Sequence, residues 1–224
     1  MERFNSKGIY GLFGRVISLS NVFLQIYLLY RLWPHSIGIP WQVFSILVAY
    51  VLTDFINGLV HMFMDNNDHY ASVAGPFIAN FHMHHKIPQY KKSNLFIVYF
   101  NETGSKVWLV GYLLAVLFLV EAGLNAVVLH ILVYLGILSS VAEVSHYLCH
   151  SSPAKTSIFM GNIGILLSTR HHAKHHLEDN TFYAFLNGFT DPLLNLIAAR
   201  FYKGYKQTTD LHYLQYVAAA HQER

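Results

Sequence analysis

The sequence predicts an all-α integral membrane protein with about four transmembrane helices and a cytoplasmic, histidine-rich helical cap, folded as one domain over residues 1–224. The composition is 54% hydrophobic and only 12% charged, about half the charged fraction of a typical soluble domain. Four apolar stretches come close to the roughly 20 residues that cross a bilayer. The polar segments that join or end these stretches carry most of the histidines.

The predicted spans are separated by polar or turn-forming residues. The third stretch is the shortest, and its ends extend through Lys106 and Glu121. Residues before the first stretch lack the small-residue pattern of a cleavage site, which predicts that the first span is retained. The four spans are Val16–Trp33, Trp41–Met62, Val107–Val120 and Leu124–Tyr147.

The connections between the spans predict the orientation of the chain. Pro34–Pro40 and Glu121–Gly123 are short turns, whereas Phe63–Lys106 and Ser151–Arg224 are long and polar. Four crossings place both long segments on the side of the N-terminus. Of the 15 Lys and Arg residues, only Arg31 lies near the short-turn side. The positive-inside tendency therefore makes the long segments and both termini cytoplasmic, in a bacterial inner membrane or an endoplasmic reticulum membrane.

Composition also limits the chemistry. The net charge is +3 with scattered basic residues, which argues against nucleic-acid binding. The single cysteine, Cys149, excludes an internal disulfide, a four-cysteine iron–sulfur cluster and a thiolate zinc finger in this chain. Fifteen histidines are present and form no low-complexity tract. Any bound metal is therefore expected to have nitrogen and oxygen ligands.

Two stripes of polar residues lie near the C-terminal ends of the second and fourth spans. Their members recur at spacings that place them on one helical face. A Glu-x-x-His step of the kind in the fourth span can place two ligands on one metal. The stripes are Asp54, Asn57, Gly58, His61 and Asp65 in the second span, and Glu143, His146 and His150 in the fourth.

The long segments supply further histidines. His82, His84 and His85 lie close together, and the run HHAKHH occupies residues 171–176. Imidazole suits iron, copper, zinc and nickel, so histidine alone does not select the metal. A catalytic zinc needs about three protein ligands, so a surplus of ligands indicates two metals. The candidate ligands are His61, His84, His85, His146, His150, His171, His172, His175 and His176.

Other polar residues have simpler interpretations. His130 lies near the opposite end of the fourth span and is expected to be a hydrogen-bonded packing residue. Asp54 either orients a ligand histidine or makes a cap or pair at the helix end. Cys149 is expected to be a small buried side chain, and HHAKHH by itself could be a surface metal scavenger.

The order of these motifs resembles that in the Kua family of membrane lipid desaturases, which includes plasmanylethanolamine desaturase and the plant plastid phosphatidylglycerol desaturase. The resemblance covers about Leu52 to Asn195. It rests on Asp54 to His61 with Asp65, on Phe81 to His85 with Pro88, on Ser145-His146, and on HHAKHH followed by Thr181-Phe182-Tyr183.

The resemblance implies a di-iron enzyme that uses O2 and external electrons to introduce a double bond into a lipid alkyl or acyl chain. The nine histidines would hold two iron ions, with Asp65 and Glu143 as catalytic carboxylates. A separate donor of the cytochrome b5 or ferredoxin type would supply electrons, since the chain has no haem-attachment motif. The lysines expected to dock this acidic partner, or to touch anionic headgroups, are Lys86, Lys91, Lys92 and Lys174.

The chain departs from the Kua family in its third box. The family has a histidine four residues before the position of His146, where this chain has Ala142. Glu143 or His150 is expected to supply the missing ligand, with His82 as a further possibility. The alternative is that Glu143 pairs with a lysine or a nearby histidine while His150 faces the headgroups. The stretch at Ser93 to Phe96 and the residue Phe100 also differ from the family pattern.

Two other functions fit the same residues. A di-iron lipid hydroxylase would use the same ligands and differ in the product. A non-enzymatic histidine-rich metal transporter would distribute its ligands through the spans, whereas the predicted ligands gather at one membrane face.

Overall fold

The computed structural model describes residues 12–72, 74–86, 94–101, 106–151 and 154–212. These ranges contain nine α-helices, one 3₁₀ turn and no strand, which confirms the all-α prediction. The helices are α1 (Leu12–Leu32), α2 (Gly38–Asp65), α3 (Gly75–Lys86), α4 (Leu95–Asn101), α5 (Val107–Glu121), α6 (Ala126–Ser151), α7 (Lys155–Asn162), α8 (Thr169–Leu177) and α9 (Asp191–Phe201), and the 3₁₀ turn is Thr209–Leu211.

Three helices, α1, α2 and α6, are long and apolar enough to cross a membrane. They match the first, second and fourth predicted spans, with ends that differ by one to four residues. α5 is apolar but has 15 residues, which at about 1.5 Å per residue covers less than the roughly 30 Å hydrocarbon core. By length, the third predicted span therefore falls short of the other three.

One apolar core joins α1, α5 and α6. Leu24, Leu28 and Leu32 recur every four residues along α1 and face buried side chains of α5 and α6. Arg31 of α1 pairs with Glu121 at the end of α5. α1 and α5 therefore run in the same direction, with their C-terminal ends together.

α2 and α6 pack along each other with their C-terminal ends at the same end of the bundle. Asn57 of α2 donates a hydrogen bond of 3.0 Å to the Ser139 hydroxyl of α6. Gly58 lets α9 approach α2, because a Cβ there would lie 2.4 Å from a methyl group of Leu194. The ends of α2 and α6 form the floor on which the remaining elements assemble.

The short helices and their loops cover this floor. Two further cores hold them there, one around Phe77, Ile78 and Phe81 of α3 and one around Leu194 and Ala198 of α9. Aromatic and apolar residues of the loop between α8 and α9, such as Phe185, pack into the core around Phe77, Ile78 and Phe81. The result is a helical cap at one end of the bundle.

Candidate metal centre

Histidines from four helices converge between the cap and the ends of α2 and α6. They form two groups, and within each group one possible ligand atom per residue lies within 4.8 Å of all the others. The Asp65 group is His61, Asp65, His85 and His175. The His172 group is His84, His150, His172 and His176.

Neighbouring histidines are divided between the two groups because of helical geometry. His84 and His85 are adjacent on α3, and each successive residue points about 100° further round the helix. On α8, His172 and His176 are one turn apart and share a face, while His175 points to the other group. The rings of His85 and His176 are 5.1 Å apart, so the two groups are neighbours.

Asp65 lies at the centre of its group. Its Oδ2 is 3.3 Å from the Nε2 atoms of both His61 and His175, and its Oδ1 is 3.4 Å from Nε2 of His85. The Nε2 atoms of His85 and His175 are 3.1 Å apart. All four side chains are at most 1% exposed.

The other ring nitrogen of each histidine in the Asp65 group faces an oxygen that accepts a hydrogen bond. Since a carbonyl or carboxylate oxygen has no proton to give, each Nδ1 must be the donor. A neutral ring that donates from Nδ1 presents a lone pair at Nε2. The Nδ1 contacts are His61 to the Tyr183 carbonyl at 2.9 Å, His85 to Asp210 Oδ1 at 3.0 Å, and His175 to the Thr181 carbonyl at 2.8 Å.

Three nitrogen lone pairs therefore face a buried carboxylate. The oxygens of Asp65 and the Nε2 of His61 make no hydrogen bond. Buried polar atoms without partners are costly, and a cation among them would satisfy all four groups. The Nε2 atoms of His85 and His175, 3.1 Å apart, are close enough for both to bind one metal ion, since each would lie about 2.1 Å from it.

The His172 group shows a similar convergence. Nε2 of His172 is 3.1 Å from Nε2 of His176 and 2.9 Å from Nε2 of His146. The rings of His84 and His150 are 4.6 Å apart, and that of His150 is 4.7 Å from His172. His146 thus meets this group without being one of the four residues whose ligand atoms are mutually close.

Burial keeps the cap histidines neutral. It is the largest cause that lowers the pKa of His84, His85 and His172 well below the ordinary value, with neighbouring histidines adding to the effect. Burial lowers the pKa of His175 to about 4 and, with His175 as the next cause, that of His176 to about 2. Neutral imidazole is the form that binds metal, so these rings are ready to act as ligands near neutral pH.

Besides His146, two of the predicted candidates, His171 and Glu143, lie outside both groups. His171 is paired with Asp191 and is partly exposed. Glu143 forms a buried ion pair of 3.1 Å with Lys106. This is the lysine pairing that the sequence analysis named as the alternative for Glu143, whereas His150 joins the His172 group.

His82 also lies outside both groups. Its Nε2 is 3.1 Å from the Met64 carbonyl and 3.2 Å from the Asp65 carbonyl, while its Nδ1 contacts the Tyr70 hydroxyl. These contacts hold the end of α2. His130, as predicted, makes a local hydrogen bond, to the Ala126 carbonyl.

Asp54 serves as an anchor for the cap. Its carboxylate accepts hydrogen bonds from backbone N–H groups of the loop that follows Phe185, and from the Thr190 hydroxyl. These contacts join Asp54 to a distant loop, whereas the sequence predicted either the orientation of a ligand histidine or a cap or pair at the helix end. The loop that it holds brings Phe185 against His146, with the ring centroids 3.9 Å apart.

Some residues that shape the centre carry no clear signal in the sequence. Asp210 is an isolated acidic residue far from the histidine motifs, yet it contacts His85. The carbonyls of Thr181 and Tyr183 act through the backbone, which no side-chain pattern reveals. In the sequence, the motif Thr181-Phe182-Tyr183 after HHAKHH marks the segment that supplies these carbonyls.

The sequence matches the lipid desaturase domain family over residues 50–208. The chain belongs to this lipid desaturase family. The matched range contains every residue of both groups, so the family and the geometry point to the same part of the molecule. No curated protein and no solved structure matches the chain. Membership agrees with the predicted lipid desaturase activity in its general form, an oxidation, while the Kua subfamily stays a prediction.

Proposed function

We propose that this protein is a membrane di-iron lipid desaturase that introduces a double bond into a lipid alkyl or acyl chain. In the balanced reaction, one –CH2–CH2– unit, O2, two electrons and two protons give one –CH=CH– unit and two water molecules. Iron bound to the two groups would supply the O2 activation that side chains alone cannot provide. The resemblance to the Kua family makes a plasmanylethanolamine-type lipid one candidate substrate.

The Asp65 group is the observation that carries this proposal. Three Nε2 lone pairs and a carboxylate converge in a buried space, and each ring is oriented by an acceptor at Nδ1. A mixed nitrogen and oxygen set of this kind suits iron better than a soft metal such as Cu(I). The adjacent His172 group supports a second ion.

Aromatic side chains border the centre. Phe81 lies 5.1 Å from the ring of His61, and Phe185 stacks on His146. Both aromatic rings also line a small cavity with apolar neighbours such as Val60 and with the polar side chains of Asn57, Lys106 and Glu143. The two aromatic rings would help to exclude water from the histidines that they contact.

The helix directions support four crossings. α2 and α6 both end at the metal centre, so the chain between them must return to the opposite end of the bundle. α5, with 15 residues, is the longest helix described in that interval, and Glu121 at its end pairs with Arg31 at the end of α1. Together with the lysine distribution, this supports a cytoplasmic location for the centre and both termini.

The electrons would come from a separate reductase, cytochrome or ferredoxin. Of the lysines predicted to dock it, Lys91 and Lys92 lie outside the described residues. The Lys174 ammonium lies 5.0 Å from the Phe182 ring on the cap. A basic cap surface would attract an acidic donor and also anionic headgroups.

Metal and product analysis test the proposal together. Anaerobically handled, detergent-purified protein is expected to hold about two irons per chain, and cells that express it should gain an unsaturated lipid. His61→Ala should abolish both the bound iron and the unsaturated lipid, whereas His130→Ala should change neither the iron content nor the product. One zinc per chain without iron, together with failed iron reconstitution, would contradict the di-iron proposal. A hydroxylated lipid in place of the alkene would identify a hydroxylase.

A further inference from the structure

A buried carboxylate from the C-terminal 3₁₀ turn, Thr209–Leu211, reaches the metal centre. Asp210 is 4% exposed and lies just beyond residue 208, where the family match ends. Its Oδ1 lies 3.0 Å from Nδ1 of His85. Its Oδ2 accepts a hydrogen bond of 3.2 Å from the Lys206 ammonium.

The 3₁₀ turn and the preceding Lys206 also contact the backbone of other residues in the two groups. The Thr209 hydroxyl donates to the Asp65 carbonyl, and Lys206 donates to the His176 carbonyl at 2.9 Å. Asp210 therefore lies in a segment that contacts residues of both groups. An exposed acidic residue on the surface would lack these contacts.

We propose that Asp210 is a positioning residue for the metal centre, an inference that rests on the proposed function. The carboxylate holds the proton of His85 at Nδ1 and directs the Nε2 lone pair toward Asp65. The corresponding Nδ1 partners of His61 and His175 are neutral backbone carbonyls. A negative partner makes the opposite ring nitrogen a stronger donor, so His85 would be the strongest imidazole donor of the Asp65 group.

The test compares metal binding by the full-length protein with Asp210→Ala and Asp210→Asn. Iron per chain and iron affinity are measured by chelator competition, and thermal unfolding is followed on the metal-free protein. Asp210→Ala is expected to bind one of its two irons about 10–100-fold more weakly. Asp210→Asn should lie between Asp210→Ala and the wild type, because a neutral amide is a weaker acceptor. If Asp210→Ala does not fold, the iron affinity of Asp210→Asn tests the inference.

Asp179→Asn is the matched control. Asp179 supports the same segment by accepting hydrogen bonds from the backbone N–H groups of Tyr205 and Lys206. This variant should lower thermal stability while both irons remain bound with wild-type affinity. An equal loss of iron in the Asp179 and Asp210 variants would show a merely structural role and overturn the inference.

The outcomes also separate this inference from the proposed function. Wild-type protein with two irons, and Asp210 variants with the same two affinities, would overturn the role of Asp210 alone. Wild-type protein that binds no metal after iron reconstitution would overturn both.

Discussion

At the residue scale, side chains that are adjacent in sequence have different surroundings. His171 and His172 follow one another on α8, yet His171 pairs with Asp191 while His172 is buried in the His172 group. A rotation of about 100° per residue produces this difference. The sequence supports both residues as candidate ligands, and their surroundings distinguish them.

Replacing these two histidines tests the assignment. His172→Ala is expected to lose at least one iron per chain, because it removes an Nε2 atom at the centre of its group. His171→Ala should keep both irons and lose only the stability of its contact with Asp191. The measurement is iron content after purification under identical conditions. Equal iron loss in both variants would make His171 a ligand, as the sequence analysis first predicted.

Glu143 is expected to contribute to stability without binding metal. Its ion pair with Lys106 is 3% exposed on both sides, and breaking a buried pair by removing one partner costs about 3–5 kcal/mol. Glu143→Leu should therefore destabilise the protein while iron stays bound. The double variant Lys106→Met/Glu143→Leu should recover part of that loss. Unfolding in detergent measures both effects.

The exposed pair of Arg31 and Glu121 provides the control for that experiment. Glu121→Gln should change stability little, because solvent screens exposed pairs. If Glu143→Leu loses iron while Lys106→Met keeps it, Glu143 is a ligand and the ion pair is secondary.

At the scale of elements, Asp54 connects α2 to the loop that follows Phe185. Five donors of that loop point at one carboxylate, with distances from 2.7 to 3.3 Å. Each buried donor left without a partner costs about 1–3 kcal/mol. Asp54→Ala should therefore be among the most destabilising single changes and should expose the loop to proteolysis near residues 186–190.

Thr190→Val is the matched variant, because it removes one of the five donors and keeps the volume. It should cost about 1 kcal/mol and leave the loop resistant to protease. If Asp54→Ala is no more harmful than Thr190→Val, the loop is held by its apolar contacts.

The sequence predicted the elements better than their contacts. The stripes that contain His61 with Asp65, and His146 with His150, follow from helical periodicity. HHAKHH lies on α8, where the spacing of four residues brings both His172 and His176 into the His172 group. The partners of Glu143 and His85 could not be predicted, because Lys106 and Asp210 reach them only after distant segments have packed. Hydrophobic patterning fixes a buried face, but it does not specify which polar side chains meet there.

At the scale of the whole molecule, helix direction and charge distribution together support the proposed membrane orientation. Because α2 and α6 are parallel, the chain between them returns to the opposite end of the bundle, and Arg31 and Glu121 pair at the C-terminal ends of α1 and α5. α5 begins next to Lys106, which pairs with the buried Glu143 of α6.

Site-specific cysteine labelling tests this orientation. In a Cys149→Ser background, single cysteines at Asn5 and Ala220 are expected to react from the cytoplasmic side. Cysteines at Ser36 and Ala122, in the turns after α1 and α5, should react from the opposite side, because four crossings place both turns there. The positions after α1 and α5 test two different crossings, that of α1 and that of α5. If Ala122→Cys reacts from the same side as Asn5→Cys, α5 does not cross and the four-span topology is wrong. If all four positions keep their relative sides but are reversed, the crossings stand, and the metal centre faces away from the cytoplasm and its electron donors.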